Sequence, residues 1–191
     1  VQSDIYFQFL DVNGNSMLAE NGEPACIDDA IQIKPRVKAS DQGAYIVWED
    51  YRNLDSDIYS QKVNHLGNIY WNNDGIPIVN QPGDQNQTRL TVDENGGVYY
   101  VWLDERNSPY PETEIYLQHI NSDGVVVFEN NGLAVCDEIY YQFSPIVRPS
   151  NDGALVVWGD RRTGSIGLYM QYVSPSTGIG LETQGREMFF G

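Results

Sequence analysis

Apolar and polar residues change places along this chain in short runs, and no stretch keeps the 3.6-residue period of an amphipathic helix. The runs fall into four recurring kinds. "QIKPRVKAS", "QNQTRLTVD" and "QFSPIVRPS" are alternating segments, each followed by a Gly- and Asp-rich turn. Next come "AYIVWED", "VYYVWLD" and "ALVVWGD", which are almost continuously apolar and predict a strand covered on both faces. "DIYSQKV" and its relatives predict a third strand, and "GNIYWNNDGIPIV" or "GVVVFENNGLAVC" a fourth. Asn, Asp, Gly and Pro punctuate the chain between them, as turn chemistry requires.

These runs repeat. The words "DIYFQ", "DIYSQ", "EIYLQ" and "GLYMQ" begin at Asp4, Asp57, Glu114 and Gly167, a period of about 53 residues. Gly14, Gly67 and Gly124 keep step with Gly22, Gly75 and Gly132, and then with Gln32, Gln85 and Gln142. The middle period is longer only through one residue before Trp102 and through the loop "NSPYPET". Insertions confined to loops are what a structural repeat tolerates. The predicted fold is all-β, with β-propeller-type blades of four antiparallel strands in about three and a half repeats. Residues 1–31 form a half-repeat, the last two strands of a blade. Residues 32–84, 85–141 and 142–191 form the three full repeats of one domain. Bare strand edges at the half-repeat predict completion by other copies of the chain or by the rest of a longer one.

The order Pro-x-Val, Gly-Gly, Val-Trp-x-Asp-x-Arg, Asp-Ile-Tyr-x-Gln, Gly, Trp, Gly resembles the repeats of secreted bacterial proteins with sialidase-like propellers. "NSDGVVVF" resembles a degenerate Asp-box hairpin of that superfamily. The resemblance implies a propeller and a secreted or cell-surface location. It also raises a glycan-processing enzyme as a rival function.

Period-two geometry puts Tyr59, Gln61 and Val63 on one strand face, and Ile46, Trp48 and Asp50 on one face of the strand before. The recurring sets are Trp48, Asp50, Arg52, Tyr59, Gln61; Trp102, Asp104, Arg106, Tyr116, Gln118; and Trp158, Asp160, Arg162, Tyr169, Gln171. A buried Trp needs an acceptor for its N–H, and a carboxylate two residues on can serve both it and an Arg. Each set is therefore expected to be a structural network facing the neighbouring blade. Three arginines at equivalent places in a ring do not converge on one substrate atom, which argues against a catalytic reading. No catalytic residue stands out. The loop Ser108, Pro109, Tyr110, Pro111, Glu112 departs from the repeat and is a possible binding loop.

Charge narrows the partners. With 27 acidic residues against 11 basic ones, the chain lacks the basic patches that nucleic acid demands. No apolar run reaches the ~20 residues of a membrane span, so no membrane insertion is expected. A start at Val1 without a signal-peptide pattern suggests that a leader or upstream segment has been removed. Cys26 and Cys136 occupy equivalent places where the middle repeat has Val79, which favours small buried hydrophobes over a disulfide. His65 and His119 have no zinc-like spacing and read as ordinary surface histidines, so no metal ligands are assigned. "DVNGNS" at Asp11 lacks the Gly and Glu positions of a calcium loop and reads as a hairpin. Oxygen-rich turns still leave weak Ca²⁺ binding open.

The expected function is a noncatalytic extracellular module for adhesion, scaffolding or glycan or protein binding, and not an enzyme. The alternatives are a filament or ring subunit assembled by half-blade complementation, and a sialidase-like glycoside hydrolase fragment.

Overall fold

The computed structural model describes residues 2–107 and 111–189. Two short strands, β1 (Ile5–Phe7) and β2 (Glu23–Cys26), make an isolated antiparallel pair. Blade 1 follows as β3 (Gln32–Ser40), β4 (Gly43–Asn53), β5 (Asp55–Asn64) and β6 (Ile76–Val79). Blade 2 holds β7 (Gln85–Val92), β8 (Val98–Asp104), β9 (Glu114–Ile120) and β10 (Leu133–Cys136). Blade 3 holds β11 (Gln142–Ser150), β12 (Gly153–Asp160), β13 (Gly167–Ser174), the short β14 (Gly178–Ile179) and β15 (Arg186–Phe189). Blades 1 and 2 are antiparallel meanders whose strands neighbour one another in chain order, and in blade 3 β11 to β14 keep that order while β15 pairs antiparallel with β13. The chain is an all-β protein of propeller type, and among the described residues no helix is long and apolar enough to cross a membrane.

The first strands β3, β7 and β11 lie side by side and mark the inner edge of the array. Each carries a bulge where register slips, at Ile33/Arg36, Asn86/Arg89 and Phe143/Ile146. The bulged residues Lys34, Gln87 and Ser144 have φ of 53°, 53° and 52°, an uncommon conformation for a side-chain-bearing residue. Its recurrence in all three blades marks it as part of the blade's design rather than a local accident.

The core lies between the blades. One cluster joins Ile5, Ala25 and Cys26 of the half-blade to Ile46, Trp48, Tyr59 and Val63 of blade 1. A second joins Tyr45, Val47, Ile58 and Val79 to Val98, Tyr100, Trp102 and Tyr116 of blade 2. A third joins Val101, Leu103, Ile115 and Leu117 to Val156, Trp158, Tyr169 and Val173 of blade 3. The Trp-bearing face of each blade thus meets the opposite face of the blade before it. Burying one Trp removes about 200 Å² from water, worth about 5 kcal/mol in gross transfer free energy.

The fourth strand is shorter than the sequence pattern predicts. The stretch before it, Asn68–Asn73, makes an isolated antiparallel bridge from Ile69 to Val63 and then bends away, and only the last four residues form a continuous strand, β6. Gly75 breaks the run at φ +80°, and an added Cβ there would stand 2.6 Å from the Trp48 ring. The same glycine recurs as Gly132 and Gly185, against Trp102 and Trp158.

Candidate functional site

The repeated side chains assemble identically in each blade. Nε1 of Trp48, Trp102 and Trp158 donates to the carboxylate of Asp50, Asp104 and Asp160 at 2.8, 2.7 and 3.2 Å. Each carboxylate also accepts the backbone N–H, Nε and Nη2 of the Arg two residues on, with ion-pair distances of 2.6, 2.5 and 2.6 Å for Arg52, Arg106 and Arg162. The guanidinium then lies flat over Tyr59, Tyr116 or Tyr169, 4.0–4.2 Å from the ring centre. Its Nη2 donates to the carbonyl of Asp74, Asn131 or Gln184, just before the glycine that faces the Trp ring. Gln61, Gln118 and Gln171 pin the turns by donating to the carbonyls of Asn72, Glu129 and Glu182 at 2.9, 2.8 and 2.7 Å.

This network also crosses between blades. Side chains of Asp74, Asn131 and Gln184 accept the N–H of Ile27, Asn80 and Asp137 from the preceding blade, at 2.8–3.0 Å. Arg52 and Arg162 point Nη2 at the sulfurs of Cys26 and Cys136, 3.4 and 3.0 Å away. Both thiols are free and buried, and burial pushes them up to about 11 and about 12, so neither is poised as a nucleophile. Every bond here is repeated, and all three carboxylates are fully buried. The geometry ties strands together and offers no open face to a ligand.

The unrepeated groups gather elsewhere. The β3–β4 turn of blade 1 and the β7–β8 turn of blade 2 enclose a cleft of about 370 Å³ lined by Ser40, Asp41, Gln42, Asp93, Glu94 and Asn95, among others. Asp41 and Glu94 are exposed and come from different blades. Asp93 is committed: its Oδ1 accepts the N–H groups of Asn95 and Gly97, and its Oδ2 lies 2.7 Å from His119 Nε2. In blade 3 the corresponding turn gives Asp152 instead to the Tyr172 hydroxyl.

His119 is not the surface residue that sequence reading expects. It is buried, stacks on Tyr99 at 4.0 Å with the rings 10° from parallel, and leaves Nδ1 without a partner. The missed signal is the apolar, strand-central context "IYLQHI". Burial pushes the imidazole below its ordinary 6.5, against the opposing pull of Asp93, so the folded protein holds it neutral. A depressed histidine contributes stability that is present above its unfolded value and is lost as pH falls through the folded one. Urea unfolding should therefore show stability falling from about pH 6.5 downward. His119→Tyr, which copies the Tyr172–Asp152 solution of blade 3, should flatten that fall. Equal slopes for the two proteins would exclude His119 as the source.

Another unrepeated carboxylate, Glu49, stands where blades 2 and 3 carry Leu103 and Gly159. It is buried, accepts the N–H of Gln87 at 3.1 Å and lies 2.9 Å from Lys34 Nζ, bridging the bulges of β3 and β7. Five of the 11 cationic side chains sit on the first strands: Lys34, Arg36, Lys38, Arg89 and Arg148. Those strands contain no Asp or Glu. Arg36 lies close enough to Arg89 to help burial lower the Arg89 guanidinium from its usual value. In so acidic a chain this row of cations is a local reversal of sign.

Of the loop singled out from the sequence, Ser108, Pro109 and Tyr110 lie outside the described residues, and Pro111 and Glu112 are exposed. Among the described residues there is no group of three His, Cys, Asp or Glu side chains that could hold a metal ion. At Asp11 the carboxylate caps its own turn, accepting the N–H groups of Asn13 and Asn15, both at 2.8 Å.

No family model matches the chain, and no curated protein sequence matches it. Solved structures do. A thermostable family-43 glycoside hydrolase matches with a TM-score of 0.51 at 14% identity, over 85% of this chain and 55% of its own. A candidate glycoside hydrolase from Bacteroides ovatus matches with a TM-score of 0.50 at 11% identity, over 98% of this chain and 58% of its own. The chain spans little more than half the length of these proteins, and the likeness establishes the propeller-type fold. It also corrects the function expected from sequence: the neighbours of this fold are glycoside hydrolases, so the readings of a noncatalytic module and of a non-enzyme are withdrawn. Repetition misled there, because it made the conspicuous residues architectural and drew attention from the unrepeated ones.

Proposed function

We propose that this chain is part of a glycan-acting β-propeller of the glycoside hydrolase kind, with sugar bound in the cleft between the inner turns of blades 1 and 2. One observation carries the reading: exposed carboxylates from two blades, Asp41 and Glu94, line one cleft, and neither takes part in the repeated network. Glycoside hydrolysis needs two carboxyl groups, one to protonate the leaving oxygen and one to act as base or nucleophile. The cations along the first strands favour a substrate bearing carboxylates, such as a uronic-acid polysaccharide. The secreted or cell-surface location expected from sequence belongs to the same proposal, since such polymers lie outside the cell.

The test is reducing-sugar release from a panel of acidic and neutral polysaccharides, by the parent and by Asp41→Asn and Glu94→Gln. Either substitution should cut release by at least about a hundredfold. Both side chains are exposed, so melting temperatures should not move. Release that survives both changes, or no release from any polymer in the panel, overturns the reading.

A further inference from the structure

One position of the repeat is filled differently every time. It holds Phe9 in the half-repeat, Lys62 in blade 1, His119 in blade 2 and Tyr172 in blade 3. In the full blades it stands on the third strand, opposite Tyr45, Tyr99 and Leu155 of the second. Its occupant decides whether the inner turn of that blade is braced. Lys62 leaves the Asp41 turn alone and donates to the Ser122 carbonyl of blade 2 at 3.2 Å. His119 and Tyr172 instead bond the turn aspartate beside them, Asp93 and Asp152.

The blade 2 turn is the one that carries Glu94 into the cleft. Asp93 is its hub. The Asp93 N–H donates to the Gly97 carbonyl at 2.9 Å, and its Oδ1 accepts the N–H groups of Asn95 and Gly97, both at 2.8 Å. That leaves Oδ2 for His119 Nε2, 2.7 Å away. Gly97 makes room for this bond, since a Cβ there would stand 2.6 Å from Asp93 Oδ2 and 2.8 Å from His119 Nε2. The imidazole is itself held by its stack on the buried Tyr99. From blade 1, the Tyr45 hydroxyl donates to the Gly96 carbonyl at 2.8 Å. Glu94 therefore rides on a turn that is anchored on both sides of it.

We infer that His119 is a positioning residue for Glu94: it holds Asp93, and through Asp93 the turn, so that the Glu94 carboxyl keeps its place in the cleft it shares with Asp41. The consequence for catalysis rests on the glycan reading, whereas the bracing rests on hydrogen bonds alone. A carboxyl that moves a proton in the transition state must be placed closely, and a small displacement is felt in kcat before it is felt in binding.

The test compares the parent with His119→Phe, His119→Tyr and Tyr172→Phe. Phenylalanine already fills this position at Phe9, so His119→Phe keeps the packing and removes the donor, and a melting curve checks that it folds. Hydrogen exchange at the amides of Asp93, Asn95 and Gly97 should quicken about tenfold or more, the scale of losing one hydrogen bond to a charged group. On a polysaccharide that the parent cleaves, kcat should fall about tenfold while KM stays within about twofold. His119→Tyr offers Asp93 the hydroxyl that Tyr172 gives Asp152, and should recover both quantities. Tyr172→Phe breaks the same bond in a turn that does not line the cleft, so kcat should stay at the parent's value. Unchanged exchange in His119→Phe, unchanged kcat, or an equal loss of kcat in Tyr172→Phe would overturn the inference. A parent that cleaves no polymer would instead overturn the glycan reading, and the exchange rates would then decide the bracing by themselves.

Discussion

Replacing Asp104 by Ala is expected to cost about 3–5 kcal/mol of folding stability, the range for removing one partner of a buried ion pair. Asp104 is fully buried and accepts four donors: the Trp102 indole, and the backbone N–H, Nε and Nη2 of Arg106. Without the carboxylate the indole N–H is stranded in the core. The Arg106 guanidinium keeps only the Asn131 carbonyl at 2.8 Å and the face of Tyr116. An exposed pair would be worth about 1 kcal/mol or less, so magnitude separates the two descriptions. In a domain of this size the melting temperature should fall by roughly 10 °C. A drop of one or two degrees would mean that Asp104 and Arg106 behave as a surface pair.

The second large effect belongs to a residue with no side chain. Gly132→Ala should destabilise by about 3 kcal/mol, combining the penalty for a Cβ at positive φ with overpacking against a ring. Gly132 has φ +93°, and a Cβ there would run into the Trp102 ring. That ring cannot step aside, because its N–H is fixed on Asp104 and it stacks on Tyr116 at 6.1 Å. Gly14→Ala is the control: its φ is also positive, at +85°, but nothing lies within 4 Å of an added Cβ. It should show only the backbone part, about 1–2 kcal/mol. Equal losses for the two variants, measured by denaturant unfolding, would remove the Trp contact from the explanation.

Much of the architecture is legible in the residues themselves. The four-strand plan of blades 1 and 2, its order and the two-faced burial of β4, β8 and β12 follow from the alternation and from the repeated Trp and Tyr, whereas the extra short strand β14 of blade 3 does not. The shortness of the fourth strand is not legible either, because its apolar lead-in has the composition of a strand while Gln61 and Gly75 bend it away. Lys34, Gln87 and Ser144 are equally silent, since nothing in "IKP", "NQT" or "FSP" announces a bulge at positive φ. The candidate site stays hidden for a related reason. Repeats draw attention to what recurs, whereas Asp41, Glu94, His119 and Glu49 are informative because they do not recur. Their meaning depends on which turns the blades bring together across a cleft, and that is a property of tertiary packing. The fold could thus be read blade by blade, while the function had to be sought in the departures from the blade.

The claim beneath this account is that repeated polar residues hold blades together and unrepeated ones meet the ligand. Its most direct test is the melting temperature of three separate variants, Asp50→Asn, Asp104→Asn and Asp160→Asn, with polysaccharide binding recorded on the folded fraction. Each should melt several degrees below the parent and bind as the parent does, because Asn keeps the shape but loses the charge that holds the arginine. A variant that melts with the parent and has lost binding would contradict the account, since that residue would then serve a ligand instead of the blade.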